Sequence, residues 1–100
     1  MNNVERFLSE VSTLLESDAA AGDLKLHAHQ RLLSFIGRAA VREDGYAPRE
    51  EVFSTLNDAR SVLHKLQVRP AATNVRLELL SELDRAIEQV KPRRFPAPQL

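Results

Sequence analysis

The stretch DLKLHAHQRLLSFIGRAAVRE, residues 23–43, decides the fold. Read as a helix at about 100° per residue, its apolar side chains run from Phe35 through Leu32, Ile36, Ala40, Leu33 and Leu26 to Val41 and spread over about 240° of the wheel. A helix that buries one face in a bundle needs an apolar arc of little more than about 100°. This one therefore has contacts on more than one side. It is either a central helix wrapped by the rest of the chain or an intermolecular surface, a dimer seam or a groove for a partner.

The narrow polar arc of the same helix carries one sign of charge. His27, Arg31, Ser34, Arg38 and Arg42 fall within about 80° of one another, and no acid interrupts them before Glu43. Such a stripe fits an acidic protein surface or a phosphate. It also fits internal pairing with the N-terminal segment, because residues 1–23 hold five acids and one base. His29 lies among Leu26, Leu33 and Ile36 and is expected to be buried and hydrogen-bonded.

Outward from this stretch, glycine and proline cut the chain into four helical segments. Toward the N-terminus, Val4, Phe7, Leu8, Val11, Leu14 and Leu15 form one apolar stripe that ends near Glu16–Ser17, with Asn2 and Glu5 spaced as a cap. Asp23 is placed to cap the second helix, which runs to about Glu43, and Gly45 to supply its left-handed end. Pro48 suits the first turn of a third helix carrying Val52, Leu56, Ala59, Leu63 and Leu66, and Pro70 stops it. Thr73 or Asn74 caps a fourth, carrying Val75, Leu79, Leu83, Ala86, Ile87 and Val90 and ended by Pro92. No segment alternates apolar and polar residues long enough to predict a strand. Turns this short make consecutive helices antiparallel. The fold class is all-α, a four-helix antiparallel bundle or an elongated helical assembly: one helical domain over residues 1–91, then a flexible Pro-rich tail over 92–100 that holds three of the five prolines.

Composition narrows the function. The chain is 43% hydrophobic and 28% charged, enough for a core, and its fourteen bases balance fourteen acids. That balance argues against nucleic-acid binding by bulk charge. A nucleic-acid-associated regulator stands as a second alternative, with the helix after Pro48 as its recognition helix, although Glu50 and Glu51 would repel phosphates from the start of that helix. The most basic piece is the tail, with Lys91, Arg93 and Arg94 beside Phe95. No apolar run exceeds three residues, against about 20 for a membrane span, and the N-terminus lacks the layout of a secretory signal. The expectation is a cytoplasmic protein. With no cysteine, thiol chemistry and Cys-based metal sites are excluded, and His27 and His29 point to different faces of one helix, so neither a metal nor a cofactor is implied. Three glycines leave no room for a phosphate-binding loop.

Two enzyme-like patterns are present in outline. Arg60 and His64 stand one turn apart, which loosely resembles the Arg–His pair of HEPN-type ribonucleases, although that family spaces the two farther apart. Residues His27 to Gly37, HAHQRLLSFIG, resemble the motif of histidine phosphotransfer domains, four-helix bundles with an exposed histidine on the second helix. The second glycine of that motif matches Gly37, but Gln30 stands where the family has lysine and Arg31 where it has its first glycine. The resemblance would make His27 the phosphorylated residue. The residues as a whole favour a non-catalytic interaction protein of regulator, inhibitor, chaperone or adaptor type. Small helical bacterial chaperones, anti-activators, immunity proteins and phage-encoded inhibitors share this outline, and no motif selects among them. The expected mode is burial of an acidic-surfaced partner or a second subunit, as a homodimer, against helix two, through Leu33 and Ile36 with Arg31, Arg38 and Arg42 orienting the complex.

Overall fold

The computed structural model describes residues 2–17 and 20–91. Within them run α1 (Asn3–Leu15), α2 (Ala21–Ala39), a short hairpin of β1 (Val41–Arg42) and β2 (Gly45–Tyr46), α3 (Arg49–Lys65), a 3-10 turn at Pro70–Ala72 and α4 (Thr73–Val90). The all-α class is as expected; the predicted tail lies outside the described residues.

The first helix starts as its sequence dictates. Asn2 accepts from the Glu5 N–H at 2.8 Å while the Asn2 N–H donates back to the Glu5 carboxylate at 3.2 Å, a reciprocal capping box. The other starts differ from expectation. Neither Asp23 nor Thr73 nor Asn74 caps a helix: the cap positions are Ala20 and Ala72, without side-chain hydrogen bonds. Asp23 sits inside the first turn, where its charge meets the positive end of the helix dipole. Thr73 is already helical because the 3-10 turn winds straight into α4.

Helix two stops at Ala39, four residues short of the expected Glu43, and the chain turns into a hairpin that the strand criteria missed. Val41 pairs with Tyr46 and Arg42 with Gly45, and the Ala47 N–H donates to the Ala40 carbonyl at 2.9 Å. Gly45 has φ +139° and is the one described residue with positive φ, so its freedom serves the chain reversal after Glu43-Asp44 rather than a helix end. Helix three likewise ends before Pro70. The residue ahead of a proline is driven out of helical geometry, and an extended link over 66–69 lets Leu66 and Val68 pack on the core.

Three arginines close helix ends from neighbouring elements. Arg69 donates to the carbonyls of Leu15 (3.1 Å) and Ser17 at the end of α1. Arg76 donates to those of Leu66 (2.6 Å) and His64 (3.3 Å) at the end of α3. Arg49 donates to Val90 (3.2 Å) and Gln89 at the end of α4. Each puts a cation on carbonyls that have no partner within their own helix.

Helix pairs α1/α2 and α3/α4 are antiparallel hairpins. They pack so that α2 lies beside α4 and α1 beside α3, each a parallel pair; α2 and α3 touch across one diagonal. Side-chain pairings fix this direction: Lys25 meets Glu78 and His29 meets Glu82, one turn onward on both helices. The core between the hairpins is apolar throughout the described residues. Phe7 stacks on Phe35 at 4.5 Å between ring centroids, and Leu24, Leu32, Leu56, Leu63 and Leu83 are buried around them. Ala28 and Ala59 are buried too.

Candidate functional site

The parallel packing of α2 on α4 leaves a groove between them. Because the two helices keep one register, polar partners recur every turn and form a ladder: Lys25 Nζ lies 3.3 Å from Glu78 Oε1, and His29 Nδ1 lies 2.8 Å from Glu82 Oε2. The carboxylate can only accept, so the His29 Nδ1–H donates. This rung divides the groove into two hollows. Gly22, Leu26, Val75 and Leu79 line the first, about 330 Å³ in volume. Leu33, Ile36, Ala86 and Gln89 line the second, about 350 Å³.

The apolar arc of helix two is divided by this arrangement. Leu24, Ala28, Leu32, Phe35 and Ala39 are buried, whereas Leu26 is 54% and Leu33 55% exposed, with Ile36 half-buried beside them. Helix two is therefore covered on one side only: α1 and α3 take the Phe35 side, and the side beyond α4 faces outward. His29 is hydrogen-bonded as expected but not buried, its side chain 44% exposed, because it stands at the groove rim rather than beneath it.

The arginine stripe does not survive as one surface. Arg42 leaves the helix with the hairpin and pairs with Glu51, its Nε donating to Oε2 at 3.0 Å. That hydrogen bond holds the Glu51 carboxyl below its ordinary range and raises the Arg42 guanidinium further. Arg38 turns inward toward α1, three-quarters covered, with Nη2 3.9 Å from Glu10 Oε1. Arg31 lines a shallow cleft with Ser9, Glu10, Thr13 and Leu14 of α1. The three guanidinium groups thus serve the α1 flank and the hairpin, on the side of α2 away from the groove. Leu33 and Ile36 are the site residues that the groove does bring together.

His27 is exposed on α2, about 160° around the helix from His29. Arg60, read with His64 as a possible catalytic pair, is bound to the Asp84 carboxylate of α4, which raises its guanidinium further above its ordinary value. Sequence reasoning missed the α4 wall of the groove: Glu78, Glu82, Arg85 and Gln89. A signal was available in the matched spacing of Lys25 and His29 with Glu78 and Glu82, two bases and two acids each four residues apart. Among the described residues no helix is long and apolar enough to cross a membrane, and no three His, Asp or Glu side chains gather as a metal site. The chain matches no protein-family model, no curated protein and no solved structure.

Proposed function

We propose that this protein is a non-catalytic interaction module that buries a protein partner against the outward face of α2, over the groove shared with α4. The observation that carries the reading is the exposure of Leu26 and Leu33 on one stripe with Ile36. Two leucines more than half exposed on a single face, flanked by a ladder of paired charges, have the apolar-centre and polar-rim layout of an interface. The charges around the groove orient the encounter and the leucines supply the buried area.

The test compares proteins retained from native lysate by the immobilised chain and by its Leu33→Asp variant. A partner held by the first and lost by the second supports the module. Identical retention by both removes Leu33 from any interface.

Exposure of His27 on the second helix of a four-helix fold keeps phosphoryl transfer as the competing reading. Arg31, exposed one turn along, occupies the side from which a phosphoryl donor would approach. We expect acetyl phosphate to leave the chain unlabelled. A stable phosphohistidine lost in His27→Gln would replace the interaction reading with a carrier.

A further inference from the structure

The outward stripe of α2 is spaced as a helix–helix seam. Leu26, Leu33 and the half-buried Ala40 stand seven residues apart, and His29 and Ile36 follow the two leucines by three. Alternating steps of three and four are what allow one helix to lock into another, each side chain entering a gap between four on the facing helix. Neither α1 nor α4 supplies that facing helix, since both leucines remain more than half exposed.

The charges beside the seam identify the occupant. Lys25 and Arg85 stand with Glu78 and Glu82 along the groove, two bases and two acids, so the patch is neutral and can face its own copy without net repulsion. The charges are also unevenly placed. Glu78 and Glu82 lie toward the start of α4, and Arg85 lies beyond them, exposed and without an ion pair or hydrogen bond among the described residues.

We propose that the partner on this seam is a second copy of the chain, its α2 laid antiparallel so that Leu26 of each protomer packs on the partner's Leu33. The inference rests on the interaction reading above and names its partner. Setting Leu26 opposite Leu33 puts the two-fold axis between His29 and Gln30 on α2. Because Lys25 is level with Glu78 and His29 with Glu82, the axis falls between Glu82 and Leu83 on α4. Arg85 then comes level with the stretch between the partner's Glu78 and the partner's Glu82, which supplies the anions it lacks. Parallel pairing would instead set His29 beside the partner's His29 and give Arg85 no new anion.

The chain has no cysteine, so single-cysteine variants report the pairing directly. Leu26→Cys and Leu33→Cys are prepared separately, at positions exposed enough to leave the fold intact, then oxidised alone and as an equimolar mixture. Disulfides need Cα atoms within about 7 Å. The antiparallel seam predicts about a tenfold excess of cross-linked dimer in the mixture over either variant alone, and a dimer of the unsubstituted chain in sedimentation at micromolar concentration. Cross-linking of each variant with itself would overturn the antiparallel register. A monomer in sedimentation would overturn the second copy as occupant. If Leu33→Asp still loses a lysate protein in that case, the module stands with a different partner; if it does not, both readings fall.

Discussion

Helix two meets α1 and α4 in opposite ways. Against α1 it packs ring on ring: Phe35 stacks on Phe7, and both are fully buried. Against α4 it closes only at the bottom, over Val75 and Leu79, while paired charges span the rim and Leu26 and Leu33 stay outside. Both sides carry large apolar side chains of α2, Phe35 on one and Leu26 and Leu33 on the other. What differs is whether the chain supplies a cover. Among the described residues no element lies over Leu26 and Leu33 on the α4 side, so the apolar stripe there contributes little to the monomer. Its cost in exposed leucine makes sense when a partner removes it from water.

The sharpest way to break this contrast is to truncate one apolar side chain on each side. Phe35→Ala removes a fully buried ring and its stacking contact with Phe7, and we expect a loss of about 3–5 kcal/mol, a fall in melting temperature of more than about 10 °C. A small loss would mean that the α1 side is as loosely covered as the groove.

Charge reversal at Arg38 is the middle case. Arg38→Glu places a second carboxylate beside Glu10 under three-quarters cover, and a destabilisation of about 1–2 kcal/mol should follow in thermal melts. An unchanged melt would return Arg38 to the exposed stripe that the sequence suggests.

The smallest effect on folding belongs to Leu33→Asp. At a concentration where the chain is monomeric, its stability should stay within about 0.5 kcal/mol of the parent, as for other surface substitutions. A loss approaching that of Phe35→Ala would make Leu33 a core residue.

Most of the fold was legible because helix periodicity is local. The stripes of α1, α3 and α4 are the buried faces that their spacing implies, from Phe7 and Val11 to Leu83 and Ile87. The hairpin escaped because Val41 and Arg42 continue the helical wheel of α2 without a break; only Asp44-Gly45 signals the turn, and two-residue strands leave no alternation to read. The arginine stripe misled for the same reason, since Arg42 aligns with Arg31 and Arg38 only if the helix continues. The site was half legible. The excess apolar arc of α2 marked Leu33 and Ile36, but the α4 wall depends on a parallel register between helices that are not consecutive in the chain. No single-helix pattern encodes that register.

Sedimentation equilibrium of the unsubstituted chain beside Leu33→Asp tests most directly whether the outward face of α2 is kept for a second copy. A reversible dimer is expected for the parent and a monomer with unchanged helicity for the variant. A parent that stays monomeric across the micromolar range, or a variant that dimerises as well as the parent, would contradict it.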